Sequence, residues 1–448
     1  MKCRMVLAVL LVLMPVGVKA QEPQSTLGSE SGPSVESALT LPVTLNGQGG
    51  SLAFQSQRPT ESYLNGGIGI VGSYTDNALL TNSNKLDNFS YQVQPHLMWS
   101  EITPRLVLNL GLNGGVIFNN NLAAQNQSEE NVNLNATRRL TEHVSFGLLD
   151  TFSNTTGLFA SIGSQTQGTG VGVVEHSNNS LLVPPAQRTL ANQSQATLTD
   201  QVGPNSLIGV RGTYTLVDFP RSSQSAQFGT LYDTHAYSAE AFYDWRFAAR
   251  QWFGVTVRGQ RFETLPSIAT TDVGSLLLYY SVAPTPTLTL TLFGGPEYAN
   301  TPPTAAATAL GLNGQSRFWT SSEGATLNWQ AFRTSGSVSF VRQLNDGGGL
   351  ASAVTLESVS ATLRQRLSSH QNEVQFSVGK SWSDPLLSGA NIEGLSASVL
   401  FQQRLARTFV MQVGYSWQRQ DLLSTGTPAD ANRTWFAVSY DFLRPLGK

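Results

Sequence analysis

Few residues of this 448-residue chain have the types and spacing needed for chemistry. Gly67-Ile68-Gly69-Ile70-Val71-Gly72 carries the letters of a dinucleotide-binding glycine fingerprint. That motif works only between a strand and a helix, where the pyrophosphate meets the helix N-terminus. Here it lies inside an alternating segment with no helical pattern after it, so its glycines are expected to thin or bend a wall. The histidines His96, His143, His176, His235 and His370 are scattered, with no pair at metal-ligand spacing and no nucleophile motif near His96. Asn345-Asp346-Gly347-Gly348-Gly349 has some calcium-loop letters but reads as a loop tip. Neither a catalytic set, a cofactor nor a metal site is expected, and the chain is not read as an enzyme. The remaining chemistry is recognition by an uncharged polar surface, which other elements must hold in place.

Those elements have a period of two, the signature of strands with one apolar and one polar face. Phe89, Tyr91, Val93, Leu97 and Trp99 alternate with Ser90, Gln92, Gln94, His96 and Ser100. The stripe recurs in Tyr237 to Trp245, in Phe253, Val255 and Val257, and in Phe436, Val438, Tyr440 and Phe442. About eighteen such segments of roughly 9 to 15 residues follow Tyr63, a length that suits tilted membrane-crossing strands. The expected fold is all-β: a transmembrane antiparallel up-and-down β-barrel of about eighteen strands, with 16 as the lower bound. Tight links near 101–104, 140–143, 203–205, 248–251, 284–286, 330–333, 367–370 and 405–407 alternate with long ones near 76–87, 119–130, 153–188, 218–233, 264–273, 299–315, 344–356, 383–392 and 419–432. A membrane barrel sorts short periplasmic turns from long outer loops in this way, whereas a soluble sandwich or propeller has no reason to.

Composition agrees. Charged residues make up 12% of the chain, with net charge −2, about half the usual charged share. A strongly basic nucleic-acid binder and an acidic tail are both excluded, and a face covered by lipid explains the missing charge. Arg261, Arg342 and Lys380 fall on the lipid-facing stripe only near the outer rim, as snorkelling cations or contacts for lipopolysaccharide phosphates. The tryptophans Trp99, Trp245, Trp252, Trp319, Trp329, Trp382, Trp417 and Trp435 all lie near strand ends, as two aromatic girdles require. Residues 1–20 read as a signal peptide, with Lys2 and Arg4 before an apolar run and Val18-Lys19-Ala20 at the cleavage site. Cleavage there removes Cys3, the one cysteine. Residues 21–60 read as a flexible periplasmic segment and 61–448 as the barrel. On the inward face the expected lining is Asn65, Gln92, Gln94, Asn109 and Asn113, with Glu240, Asp244, Arg246, Arg258 and Arg364 as the main charges.

The opening strand Gly66 to Asn77, the Asn345 to Gly349 loop and the ending Phe436 to Phe442 resemble outer-membrane β-barrel porin families, including barrels associated with exopolysaccharide loci. Many such barrels end on an aromatic residue read by the insertion machinery, whereas here Phe442 is followed by Leu443 to Lys448. The resemblance implies outer-membrane location, with lipid, lipopolysaccharide and the barrel-insertion machinery as partners; in an export role residues 21–60 would meet a periplasmic partner. In such porins the third loop folds inward as a constriction; here that loop is 153–188, and its charged or titratable members are Glu175, His176 and Arg188. It either constricts the lumen or lies outside it. Three uses stay open: a channel for hydrophilic solutes including carbohydrate, a component of exopolysaccharide export, and a surface scaffold or adhesin with a plugged lumen.

Overall fold

The computed structural model describes residues 62–446 except 123–125, 157–187, 221–230, 266–268, 303, 305–307, 309–316, 348, 351, 368–371, 388–390, 407 and 423–427. The expected signal peptide, the 21–60 segment, Glu175, His176 and His370 lie outside the described residues. The strands are β1 (Ser62–Thr75), β2 (Asn88–Ile102), β3 (Leu106–Asn119), β4 (Gln127–Arg139), β5 (Val144–Thr156), β6 (Arg188–Gly203), β7 (Ser206–Asp218), β8 (Thr234–Ala248) and β9 (Gln251–Thr264). They continue as β10 (Ala269–Thr285), β11 (Leu288–Asn300), β12 (Arg317–Gln330), β13 (Thr334–Asn345), β14 (Val354–Arg366), β15 (Asn372–Pro385), β16 (Ile392–Arg404), β17 (Phe409–Leu422) and β18 (Ala429–Leu446). Each pairs antiparallel with its sequence neighbours, and β1 closes the ring on β18 from Ser62↔Leu446 to Thr75↔Arg433. Closure leaves no free sheet edge, the only way a sheet satisfies its backbone in lipid.

Local chemistry sets the turns. Thr103 Oγ1 accepts the Leu106 N–H at 3.0 Å and Thr141 Oγ1 accepts the Val144 N–H at 2.9 Å, so side chains fill the bonds that the tight reversals cannot make themselves. Short and long connections alternate around the ring as expected; the β9–β10 link is an exception, spanning only the positions between Thr264 and Ala269.

Alternation decides which side chains meet lipid. Ile70 is 60% exposed, and Ile68, Tyr91, Val116, Val210, Val257, Leu278, Phe376, Val413 and Phe436 are likewise exposed apolar side chains of the outward stripes. Trp319 and Trp329 share β12 and both point outward; the tilted strand between them rises about 25 Å, the height of an apolar membrane band. Outward cations near the rim are paired: Arg261 with Asp272 at 2.7 Å, Arg342 with Glu357 at 3.3 Å and Glu323 at 3.8 Å, and Lys380 with Glu393.

The girdle expectation fails for two tryptophans. Trp252 and Trp435 are 8% and 9% exposed. Each immediately precedes an outward residue, Phe253 or Phe436, so strand alternation turns it inward. Trp435 packs on Leu400 and Ala437 and covers the directly opposite Gly414, where a Cβ would meet the indole at 2.2 Å. Arg246 lies over the Trp252 ring, 5.8 Å from its centroid.

The barrel is not a uniform cylinder at its outer end. Pairing of β12 with β13 stops at Glu323↔Arg342, although β11–β12 pairing continues to Asn300↔Arg317 and β13–β14 pairing to Asn345↔Val354. The end of the β13–β14 hairpin leaves the wall and turns inward. Leu344 and Ala353 join Phe262, Val273 and Ala299 in one buried apolar cluster, against which Ala236, Phe318 and Leu386 pack. Leu387, beyond β15, meets Ala269 of β10. Leu350 and Ile392 meet Phe219 and Leu231 of the β7–β8 connection, almost opposite β16 in the ring. The expected loop tip at Asn345 is therefore buried, with Asn345 and Asp346 both enclosed. Its apolar flanks gain more by covering the inward faces of β8–β12 than by standing in water.

Candidate functional site

The site is the inner wall, built by a simple device: a long polar side chain reaches across one strand where the residue between is small. His96 of β2 stands opposite Gly67 of β1, and Gly67 opposite Asp441 of β18. With no side chain between them, His96 Nε2 comes within 3.0 Å of Asp441 Oδ1, while a Cβ on Gly67 would meet His96 Cε1 at 2.6 Å and the Tyr440 carbonyl oxygen at 2.1 Å. The fingerprint glycine thus makes room for an imidazole rather than a phosphate. Tyr279 of β10 lies on Gly254 of β9 in the same way, with the buried Asp244 of β8 on the far side of that glycine.

The principal constellation is a hoop of directly opposed residues that crosses five strands of the wall. The register places Arg211 opposite Glu240, Glu240 opposite Arg258, Arg258 opposite Ser275 and Ser275 opposite Glu297, across β7 to β11. Arg211 Nη1 is 2.5 Å from Glu240 Oε1; Arg258 Nη2 is 3.3 Å from Glu297 Oε1, and Arg258 Nε donates to Ser275 Oγ at 3.3 Å. Arg211 also lies over the Phe242 ring, 5.6 Å from its centroid. Both guanidiniums are buried, and Glu297 is 0% exposed. Charge in this hoop is compensated pair by pair, the condition under which buried ions are tolerable.

All the sequence-derived lining residues lie on inward stripes. Gln92 is buried and donates to Glu129 at 2.6 Å; Gln94, Asn109 and Asn113 face the same space. Glu240 and Arg258 belong to the hoop, and Asp244 is buried beside it. Arg246 is nearer the short-turn end, donating to the Ala249 carbonyl at 2.6 Å. Arg364 pairs with Glu373 at 2.8 Å and donates to Gln375 at 3.1 Å, apart from the hoop. Arg188 is not brought to the lumen: it shares the outward stripe of Leu198 and donates to Asn154 of the neighbouring β5 at 2.7 Å.

Sequence reasoning missed several inward charges, among them Arg211, Glu297, Glu129, Arg433, Asp441 and Glu373. Arg211 was recoverable, because Ile208 and Val210 point outward and alternation turns Arg211 in. Glu297 follows Gly294-Gly295-Pro296, which interrupts the apolar stripe that would have set its phase.

The inward end of β13 roofs part of this wall. Leu344 N–H donates to Glu297 Oε2 at 3.4 Å, Thr234 Oγ1 is 3.4 Å from Asp346 Oδ2, and Tyr232 N–H donates to the Gly349 carbonyl at 3.0 Å. Gly349 has φ +105°, and a Cβ there would meet the Phe219 ring at 2.7 Å, so both backbone and space call for glycine. Below lies a recess lined by Arg211, Glu240, Arg258, Gln260, Gln343 and Asn345, among others. Among the described residues no group of three or more His, Cys, Asp and Glu is placed to hold a metal ion.

A closed eighteen-strand barrel with an apolar outer belt and a polar, charge-paired interior has the architecture of a transmembrane β-barrel. No family model and no curated protein matches the chain. Among solved structures it is similar to OccAB3 of Acinetobacter baumannii, at 9% identity over 86% of this chain and 100% of that one, with a TM-score of 0.42. It is also similar to OccK2 (OpdF) of Pseudomonas aeruginosa, at 11% identity over 85% of this chain and 98% of that one, with a TM-score of 0.45. The outer membrane protein OpdK of the same organism gives 12% identity over 85% and 99%, with a TM-score of 0.42. At these values the likeness is one of barrel form.

Proposed function

We propose that this protein is an outer-membrane channel for hydrophilic solutes, with passage limited by the inward end of the β13–β14 hairpin rather than by the 153–188 loop alone. The observation that carries this reading is the interior itself: a ring of eighteen strands lined by amides and hydroxyls, with the charges of the hoop paired within the wall. A barrel of this strand number is wide enough for water, and a wall without free charge on the hoop gives little ion selectivity and suits neutral solutes.

Finer versions of the reading differ in cargo and direction. An amide-rich wall suits saccharide moving either way, so export of exopolysaccharide remains one version; a capsule that survives loss of the gene would count against it. Lipopolysaccharide at the outer rim, the barrel-insertion machinery and a periplasmic partner for residues 21–60 belong to the same proposal. A plugged scaffold is favoured by one observation, the apolar bridge from Leu350 and Ile392 to Phe219 and Leu231. Liposome swelling separates the two. Vesicles carrying the refolded chain should swell in neutral mono- and disaccharides, faster when 346–352 are replaced by a short glycine-serine turn; no swelling with either chain would favour the plug.

A further inference from the structure

We propose that the recess beneath the end of β13 is a binding subsite for a neutral saccharide, a reading that rests on the channel function and names its class of solute. The recess is a cavity of about 60 Å³, room for about four to six waters and thus on the order of one pyranose ring. Its wall comes from β6 to β9 and its roof from Gln343 to Asp346.

The polar atoms that line it are unusual in being unused. Arg211 Nε, Gln343 Oε1, Asn345 Nδ2 and Gln260 Oε1 are all buried without a hydrogen-bond partner in the protein. Arg211, Gln343 and Asn345 are each more than nine-tenths buried. Buried polar atoms in folded proteins nearly always have partners, so several unpaired ones around one recess point to a ligand that supplies them.

The mixture of atoms identifies its chemistry. Two are acceptors and two are donors. A hydroxyl group both gives and takes a hydrogen bond and satisfies either kind, whereas a carboxylate only accepts and would face the two amide oxygens unfavourably. Charge leads to the same choice. Arg211 and Arg258 are answered by Glu240 and Glu297, and Asp346 lines the same recess, so an anion gains no uncompensated cation there. Phe262, a buried member of the apolar cluster, also lines the recess.

The test is calorimetric titration of the refolded full chain in detergent with maltose, sucrose and cellobiose, and with glucuronate as a charged sugar. At least one neutral disaccharide should bind saturably, with glucuronate about tenfold weaker or worse. Gln343→Ala and Gln260→Ala should each weaken that binding by about tenfold while keeping the heat-modifiable gel mobility of a folded barrel. Binding of glucuronate as tight as that of the sugars, no binding by any of the three, or wild-type affinity in both folded variants would overturn the subsite. Current through planar bilayers, recorded on the same preparation, keeps the two readings apart: conduction without sugar binding overturns the subsite alone, and sugar binding without conduction supports it while overturning the channel.

Discussion

Leu344 donates its backbone N–H to Glu297 Oε2 at 3.4 Å although β12 lies between their strands in the sheet. The bond is made on the inner surface, because Glu297 is an inward residue of β11 and β13 has parted from β12 above Arg342. Glu297 therefore has two tasks: one oxygen neutralises Arg258 at the end of the hoop, and the other holds the hairpin that roofs it.

Removing that carboxylate should be costly twice over. Glu297→Ala leaves the buried Arg258 with only Glu240, already engaged by Arg211, as a counter-charge, a loss of about 3 to 5 kcal/mol, and releases Leu344. Urea unfolding in lipid vesicles should show the loss. The double change Glu297→Leu with Arg258→Met should recover most of it, since an apolar pair of similar volume needs no compensation.

Gly349 offers a gentler way to loosen the hairpin. Gly349→Val combines a strained positive φ with a clash on Phe219, together about 1 to 3 kcal/mol. Cleavage by an added protease near 346–352 should become faster, with gel mobility of the barrel unchanged.

The aromatic-on-glycine pairs predict a direct steric effect. A Cβ at Gly254 would sit 1.8 Å from Tyr279 Cε1. Gly254→Ala should destabilise the barrel by about 1 to 3 kcal/mol through overpacking, and Tyr279→Ala in the same chain should remove that clash. A double-mutant cycle on vesicle unfolding measures the coupling.

The outer face is tested by charge. Ile70 lies at mid-strand opposite Val93 and Val438. Ile70→Arg should cost about 2 to 4 kcal/mol in bilayers, and clearly less in detergent micelles, where the cation reaches water easily.

Much of this architecture is legible in the sequence because lipid outside and water inside force a strict period of two. That period gives the strand number, the sorting of turns and the inward amides such as Gln92 and Asn109. It also contains the correction to Trp252 and Trp435: each adjoins a stripe residue, so phase, not closeness to a strand end, decides where its ring points. The hairpin roof is a different matter. Asn345 to Gly349 has the composition of an exposed turn, and the apolar Leu344, Leu350 and Ala353 around it acquire a purpose only beside Phe219, Leu231 and Phe262, which are distant in sequence. The hoop depends on register between strands, which alternation within one strand does not set.

The central claim is that this barrel is a channel limited at its outer mouth by the β13–β14 hairpin. Single-channel current in planar bilayers tests it most directly, comparing the refolded full chain with a variant carrying a short glycine-serine turn in place of 346–352. The prediction is discrete steps in both, larger or longer-lived in the variant, with weak preference between small cations and anions. Equal conductance in the two chains would contradict the role of the hairpin, and silence from both would contradict the channel.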